Sequence, residues 1–368
     1  MNLKKAVATA GVGVGAIAAA NAVLSRRAEP LAPPLPGEQH TYRWRGMDVS
    51  YTEAGDPDAP DLLFLHGINA AGTSHEWREI FEPLSKAYHV IAPDLPGYGL
   101  SDRPPLVYTS DLYTDFVADF VRDVTENPTV IASSLSGAYA TGAAKQTEVE
   151  RLILVCPTTT SMPGGRKPLV RTAMRAPLVG TALFNAMASN PSLEYFSADH
   201  GYYDMAGYSH SKQEYQWQTT HQPGARYAPA SFLSGYLDAD MDLVTALGEV
   251  DAPVTLVWGR EADTTPLAEG RRLADATGAK LVVIDYAMLV PHDEHPDKFV
   301  EAIDEDLPEI SAETFQEERK QSLEKRRQRD RESDDRPGDV GVTVENERAA
   351  GDSSTDAVEI DVEETGEQ

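Results

Sequence analysis

Short apolar segments recur along the middle of the chain and alternate with longer segments of helical periodicity. These segments are 62–65, 89–92, 129–132, 152–155, 254–257 and 281–284. Near-continuous apolar strands that alternate with helices are typical of a parallel sheet covered on both faces. Segments 41–45 and 48–51 predict an antiparallel opening pair, and 111–125 and 135–145 predict helices. The pattern therefore predicts an α/β fold with a mostly parallel central sheet and helices on both faces.

One long insertion interrupts this alternation between the fourth and fifth parallel strands. Residues 157–239 are rich in Met, Ala, Gly and aromatic residues, which favours a helical cap over the carboxyl edge of the sheet. We predict five segments. They are an apolar N-terminal segment with a Pro-rich linker (1–37), the first part of the core (38–156), the cap (157–239), the second part of the core (240–308) and a charged, largely disordered tail (309–368).

The charge of the chain is strongly acidic. It has 59 acidic and 32 basic residues, a net charge of −27, and residues 334–368 alone carry 12 acidic and 2 basic residues. Such a surface is typical of proteins that stay hydrated in concentrated salt, and it lacks the basic footprint of nucleic-acid binding. Within the tail, 317–332 predicts a solvated helix. We therefore expect no nucleic-acid partner.

Cysteine and histidine usage gives no sign of a metal or cofactor site. The single cysteine, Cys156, excludes an intrachain disulfide and a cysteine-based metal site. The histidines of the cap show no metal-ligand spacing. We expect neither a metal nor a cofactor.

The N-terminus is apolar between two pairs of basic residues. Lys4 and Lys5 precede an uncharged run, 6–24, and Arg26 and Arg27 follow it. The run has about the length that spans a bilayer, but Ala and Gly transfer poorly into lipid, and basic residues after the run resist translocation. Three interpretations remain open: membrane association through 6–24, a cleaved signal, and a soluble Ala-rich helix. We expect a membrane-associated or cytoplasmic protein rather than a secreted one.

Segment 128–137 predicts a strand that runs into a tight turn and then into a helix of small residues. The turn is spelled Ala132-Ser133-Ser134-Leu135-Ser136, with Gly137 behind it. It is a relaxed form of the G-x-S-x-G nucleophile elbow. Small residues are needed because the turn strains the serine backbone and brings helix and strand close together. The segment predicts Ser134 as a nucleophile.

Two further motifs precede this turn. One is Leu-Phe-Leu-His-Gly-Ile-Asn at 63–69, and the other is Ala-Pro-Asp-Leu-Pro-Gly-Tyr-Gly-Leu-Ser-Asp at 92–102. With the serine turn behind them in order, the chain resembles the α/β-hydrolase superfamily over roughly 41–306. Trp258-Gly259 and Pro-His-Asp-Glu-His-Pro at 291–296 extend the resemblance.

The resemblance implies roles for the residues of these motifs. Ser134 would attack, and the backbone N–H groups of Ile68 and Leu135 would hold the oxyanion. His66, together with Gly67, would order the oxyanion loop rather than transfer protons. Asp94 would anchor the turn after its strand; it is not a dehalogenase-type nucleophile, because the elbow holds serine.

The chain departs from the family at the acid and the base. The usual acid position is Ala262, with Asp263 one residue later, and the usual base position is Leu289, with His292 three residues later. In one interpretation, shifted loops let Ser134, Asp263 and His292 form a triad. In another, a cap histidine activates the serine. The candidates are His200, His210 and His221. In a third, the site has lost its base.

The leading hypothesis is a serine hydrolase that acts on a small apolar ester or related acyl compound. The alternative is a catalytically degenerate protein of the same fold that binds an apolar ligand or a protein partner without turnover. Aromatic residues of the cap are candidates for lining an apolar pocket. They are Tyr195, Phe196, Tyr202, Tyr203, Tyr208 and Trp217.

Overall fold

The computed structural model describes residues 3–162, 164–309, 341–345 and 358–359, with side chains from residue 14 to residue 345 within those ranges. The predicted helix at 317–332 and most of the acidic tail lie outside the described residues. The strands are β1 (Glu38–Trp44), β2 (Met47–Ala54), β3 (Asp61–Leu65), β4 (His89–Pro93), β5 (Thr129–Ser133), β6 (Arg151–Val155), β7 (Val254–Gly259), β8 (Lys280–Ile284), β9 (Val342–Glu345) and β10 (Val358–Glu359).

These strands form one sheet in the order β1-β2-β4-β3-β5-β6-β7-β8-β9-β10. The six strands from β4 to β8 in this order are parallel, and the strands at both edges are antiparallel. The chain moves outward from β3 to β4 and then returns to place β5 on the other side of β3. This reversal is the switch point at which open α/β sheets form their sites.

The helices alternate with the parallel strands, as the hydrophobic pattern predicts. They are α1 (Leu3–Arg27), α2 (Arg78–Leu84), α3 (Ser110–Val124), α4 (Leu135–Ala144), α5 (Pro168–Arg175), α6 (Val179–Met187), α7 (Asn190–Phe196), α8 (His210–Thr220), α9 (Tyr227–Leu233), α10 (Leu243–Gly248), α11 (Leu267–Thr277), α12 (Pro291–Glu294) and α13 (Pro296–Ala302). In α3, buried residues recur with the period of a helix, and the Thr109 side chain caps the first turn by accepting from the N–H of Leu112.

The core lies on both faces of the sheet. Along β5, Val130 and Ala132 belong to one buried cluster, which includes residues of α3 and α4. Ile131, between them, belongs to the other cluster, which includes Phe81 of α2 and Phe299 of α13. Side chains of a strand alternate between its faces, so each central strand contributes to both clusters. This architecture confirms the predicted mostly parallel sheet with helices on both faces.

The cap and the N-terminal helix pack together. Helices α5 to α9 all lie between β6 and β7, within the predicted insertion. The Asn21 side chain of α1 donates to the carbonyl of Leu178 at 2.9 Å, and Leu24 packs against Leu193 and Trp217 of the cap. The second half of the apolar N-terminal segment therefore lies against cap helices.

None of the helices in the described part of the chain combines the length and the apolar character needed to cross a bilayer.

A short piece of the acidic tail adds to the sheet. In β9, Val344 pairs with Val282 of β8 in an antiparallel register, and Glu345 forms an ion pair with Arg271 at 2.8 Å. The hydrophobic pattern does not predict this strand, because the Val-Thr-Val alternation is short and stands among charged residues.

Candidate active site

The elbow between β5 and α4 places Ser134 in a strained backbone conformation. Its φ is 55° and its ψ is −126°, in a region that residues other than glycine rarely adopt. Its N–H donates to the carbonyl of Val155 at 2.9 Å, which fixes the turn against β6. Ser134 is half-buried, whereas Ser133 and Leu135 on either side are buried. The strained turn therefore pushes this one side chain out of the core.

Small residues behind the serine let α4 approach the sheet. A Cβ atom on Gly137 would lie 2.9 Å from Cβ of Pro157, so a side chain at this position would clash. The Ser136 hydroxyl is buried and donates to the carbonyl of His66 at 2.6 Å. This bond ties the start of α4 to the loop after β3, which carries the predicted oxyanion donors.

The N–H groups of Leu135, the residue after Ser134, and of Ile68, in the loop after β3, have no protein acceptors among the described residues. Neither amide donates a hydrogen bond within the part of the chain that the structure describes. Leu135 is the first residue of α4, where an amide has no acceptor inside the helix. Free amides at the start of a helix and in the loop beside it suit the binding of a negatively charged oxygen.

His66 holds the loop after β3 against the loop after β4. Its Nε2 accepts from the N–H of Leu95 at 3.0 Å, so the ring proton of the neutral form is on Nδ1, which lies 2.9 Å from the carbonyl oxygen of Gly67. The ring is fully buried. Both ring nitrogens are therefore used in ordering backbone.

Asp94 fixes the second loop. One carboxylate oxygen accepts from the N–H and the hydroxyl of Ser74, both at 2.8 Å, and the other accepts from the N–H of Leu100 at 2.7 Å. A Cβ on Gly99 would lie 2.0 Å from this carboxylate, which explains the glycine in the Asp-Leu-Pro-Gly-x-Gly motif.

His292 lies on α12 and is fully buried. Its ring stacks on Trp77, with centroids 4.3 Å apart, and meets Phe299 edge-on at 5.7 Å. Its Nε2 lies 3.2 Å from Oε1 of Glu76, at ion-pair distance without the alignment of a good hydrogen bond. The carboxylate beside this histidine therefore comes from the three-ten turn before α2.

Glu76 joins His292 to the loop after β3. Its other carboxylate oxygen accepts from the N–H of Gly67 at 2.8 Å, and the Ser133 hydroxyl also bonds to it. Burial would raise the pKa of Glu76, but His292, Ser133 and His66 together lower it below its usual value. No sequence pattern singles out this residue, because segment 73–79, Thr-Ser-His-Glu-Trp-Arg-Glu, is polar and carries two glutamates.

The structure does not bring Asp263 to His292. Asp263 is exposed in the loop after β7, and its carboxylate accepts from the hydroxyl of Thr264 at 3.1 Å. Ala262, the preceding residue, is buried in the core. His292 is turned the other way, toward Trp77 and Glu76.

Leu289 occupies the position that the family resemblance assigns to the base. It is half-buried and packs against the larger core cluster, which includes Ile68, Ala132 and Leu135. Within the described ranges, no histidine nitrogen forms a hydrogen bond with the Ser134 hydroxyl.

The cap histidines have partners of their own. His221 is buried, stacks on Trp217 with centroids 4.1 Å apart, and its Nδ1 lies 2.8 Å from the carbonyl oxygen of Trp217. Burial lowers its pKa. His200 lies 3.3 Å from Asp199, and His210 is exposed at the start of α8. None of the three contacts the serine among the hydrogen bonds of the described residues.

Residues next to His292 fasten the cap to the core. The Asp293 carboxylate, which is buried, contacts Arg78 at 2.8 Å, Lys212 of α8 at 2.9 Å and the Tyr202 hydroxyl. Tyr202, predicted as a pocket candidate, is thus a partner of Asp293. Of the other pocket candidates, Tyr195, Phe196 and Tyr203 are exposed.

Glu294 makes a second set of bonds across the same junction. One carboxylate oxygen accepts from the N–H of Met288 at 2.7 Å, and the other accepts from those of Tyr203 at 2.7 Å and Asp204 at 3.3 Å. Burial raises its pKa to about 7 in spite of these bonds. The loop after β8 thus carries cap-fastening residues where the family resemblance places a base.

Comparison with known proteins identifies the fold and the family. The model of the alpha/beta hydrolase family matches residues 62–302, more than half of the chain. The crystal structure of a serine hydrolase involved in carbazole degradation superposes with a TM-score of 0.59 at 17% identity, covering 73% of this chain and 97% of that one. At this identity, the likeness shows the fold alone.

Two curated relatives match shorter stretches. A haloalkane dehalogenase of Bradyrhizobium diazoefficiens is 46% identical over 63 residues, which are 17% of this chain and 20% of that protein. A 2-hydroxy-6-oxo-6-(2'-aminophenyl)hexa-2,4-dienoic acid hydrolase of Metapseudomonas resinovorans is 29% identical over 100 residues, 26% of this chain and 34% of that protein. This chain therefore spans about a fifth to a third of the length of these relatives.

Proposed function

Because the chain belongs to the alpha/beta hydrolase family, we propose that it is a serine hydrolase that cleaves ester-type acyl bonds of a small apolar substrate. The observation that carries the proposal is the elbow. Ser134 is a half-buried side chain at φ 55°, the N–H of Leu135 directly after it has no protein acceptor, and neither has the N–H of Ile68 in the loop after β3. A strained serine and unpaired amides at the ends of β5 and β3 support acyl transfer.

The chemistry is a two-step acyl transfer. The Ser134 oxygen bonds to the carbonyl carbon, its proton passes to a base, and the amides of Ile68 and Leu135 hold the oxyanion. The carbon–oxygen bond to the leaving group then breaks, and the base returns the proton to the departing alcohol. A water molecule attacks the acyl-serine by the same sequence and releases the acid.

His292 is the proposed base, with Glu76 in place of Asp263 as the carboxylate that orients it. The 3.2 Å contact between His292 and Glu76 supports this assignment, as does the bond from Glu76 to Gly67 in the oxyanion loop. His292 and Ser134 share no direct hydrogen bond, so proton transfer requires a bridging water or a closer approach when substrate binds.

A second candidate function is ligand binding without turnover. The observation that favours it is Leu289, a half-buried apolar side chain that packs against the larger core cluster at the position that the resemblance assigns to the base. Such a protein would hold an apolar ligand near Ser134, and the serine would remain unreactive.

Labelling with a fluorophosphonate probe separates the two functions. The probe reacts only with an activated serine, so the hydrolase proposal expects labelling of the wild type in concentrated salt and none of Ser134→Ala. Ser189→Ala, which changes a serine before α7 in the cap, is the matched control and should label like the wild type. Absence of labelling in a folded wild-type protein would contradict the hydrolase and favour the binding protein.

A further inference from the structure

The cap contains the longest region of the folded chain without acidic residues. No Asp or Glu occurs between Glu150 and Glu194, although the whole chain has 59 of them. Residues 1–28 likewise contain no Asp or Glu. The protein has a net charge of −27, so two regions without any acidic side chain differ from the rest of its surface.

The structure brings these two regions together. Helix α1 lies against α6, where Asn21 donates to the carbonyl of Leu178 at 2.9 Å and accepts from Asn185 at 3.2 Å. Helix α5 packs beside α6. We define the cationic cap face as residues 166–187 together with residues 14–27 of α1.

The basic residues of the cationic cap face have no carboxylate partners. They are Arg26, Arg27, Arg166, Lys167, Arg171 and Arg175. None of the six forms an ion pair with any residue that the structure describes. Most other arginines of the folded region do. The paired ones are Arg43, Arg45, Arg78, Arg122, Arg151, Arg260, Arg271 and Arg272.

Aromatic rings contact four of these cations. Arg27 lies 5.3 Å from the ring centroid of Trp217, and Arg166 lies 5.5 Å from that of Tyr236. The Arg171 guanidinium lies 4.2 Å from the ring centroid of Tyr236, and that of Arg175 lies 5.2 Å from the ring of Tyr227. Arg175 also donates to the carbonyl of Pro105 at 2.7 Å. These contacts orient the guanidinium groups without neutralising them.

Apolar side chains are exposed among the cations. Leu169 of α5 is 86% exposed and Val23 of α1 is 62% exposed, whereas Leu24, beside Val23, packs against the cap. Further exposed members are Val14, Val170, Leu178, Val179 and Leu183. Exposed aliphatic groups mixed with unpaired cations are typical of surfaces that enter the headgroup region of a bilayer.

We infer that the cationic cap face docks on the surface of an anionic phospholipid bilayer. The cations contact lipid phosphates, and Leu169, Leu183 and Val23 enter the boundary between headgroups and acyl chains. The unpaired positive charge selects a negative partner, and the exposed aliphatic side chains favour lipid over a nucleic acid. This docking does not depend on the proposed hydrolysis, so Ser134→Ala should bind lipid like the wild type.

Sedimentation of the full chain with vesicles tests the inference. Phosphatidylcholine vesicles containing one third phosphatidylglycerol should bind more protein than phosphatidylcholine alone at about 0.1 M salt, where charges act over about 10 Å. The triple variant Arg26→Ser, Arg166→Ser, Lys167→Ser should bind the anionic vesicles about 100-fold more weakly, since each cation contributes about fivefold. Leu169→Ser with Leu183→Ser should weaken binding to both vesicle types.

The matched control removes three paired arginines outside this face. Arg43→Ser, Arg122→Ser, Arg272→Ser changes the net charge by the same amount and should keep wild-type binding. Thermal unfolding checks that each variant is folded. Equal binding to both vesicle types, or equal weakening by the two triple variants, overturns the inference. Self-association that the first triple variant abolishes, without vesicle binding, overturns it in favour of a second copy of the chain.

Discussion

The two halves of the candidate site are built in different ways. The half at the ends of β3 and β5 consists of Ser134, Ile68, Leu135 and the bonds of His66, and nearly all of its geometry is backbone geometry. The half at the ends of β7 and β8 depends on side chains in loops. There, Asp263 is exposed, Leu289 is packed in the core, and His292 faces Glu76.

The difference shows which part of such a site can change without loss of the fold. The elbow is fixed by a strained turn, by a strand bond from Ser134 to Val155 and by the close packing of Gly137 on Pro157, so most substitutions there would disturb the sheet itself. The loops after β7 and β8 lie outside the strands, where insertions and replacements are tolerated. A catalytic base can therefore be moved or lost while the nucleophile stays in place.

The largest expected effect comes from breaking the Glu76–His292 pair. His292→Phe keeps the stacking on Trp77 but leaves a buried carboxylate without its partner, which should cost about 3 kcal/mol of unfolding free energy. If His292 is the base, probe labelling of Ser134 should also fall about 100-fold. Denaturant unfolding and labelling kinetics measure the two effects.

The matched variant is His292→Gln. Its amide can still donate to Glu76, so most of the stability should return, but it cannot accept and return a proton, so labelling should stay low. If folded His292→Gln is labelled at the wild-type rate, His292 has a packing role and no part in proton transfer. The half of the site at the ends of β7 and β8 would then receive no base from α12.

The second prediction concerns pH. Burial raises the pKa of Glu294 to about 7 from an ordinary value of 4.5, so between these values the folded state holds a proton that the unfolded chain has lost. The free energy of unfolding should therefore fall as the pH rises through this range, by at most about 3 kcal/mol. Glu294 accepts hydrogen bonds from the N–H groups of Met288 and Tyr203, so this pH dependence arises in the half of the site at the ends of β7 and β8.

Denaturant midpoints measured from about pH 4 to about pH 8, which bracket the range between 4.5 and about 7, test the sign. Glu294→Gln should remove most of the slope, whereas Glu269→Gln, on the exposed face of α11, should keep it. A slope that Glu294→Gln leaves unchanged would place the titrating group elsewhere.

The third prediction adds a base at the family's usual position. Leu289→His places an imidazole at the position that the resemblance assigns to the base, on a side chain that packs against the larger core cluster, and should raise the rate of serine labelling about tenfold. Leu289→Gln, which is polar but not a base, is the control and should not raise the rate. An equal increase in both variants would show that access to Ser134, rather than proton transfer, limits labelling.

The sequence predicted the backbone half of the site better than the side-chain half, for a physical reason. Ser134, Leu135 and Ile68 occupy fixed places relative to strand ends, and apolar periodicity locates those strand ends. Glu76 meets His292 only through the packing of the turn before α2 against α12, two segments far apart in the sequence. No local pattern encodes such a contact. The same holds for β9, whose pairing with β8 depends on a tertiary neighbour.

The smallest expected effect is that of Asp263→Asn. Its carboxylate is exposed and bonds to Thr264, so removing the charge should change serine labelling less than twofold and leave the unfolding free energy within about 0.5 kcal/mol of the wild type.

Glu76→Gln is the variant with which Asp263→Asn is compared. It removes a buried carboxylate at 3.2 Å from His292 and should slow labelling about tenfold. If Asp263→Asn slows labelling more than Glu76→Gln does, the exposed loop must close onto His292 during the reaction. The acid of the site would then be the one that the shifted triad predicts, and the loop half would be assembled only when substrate binds.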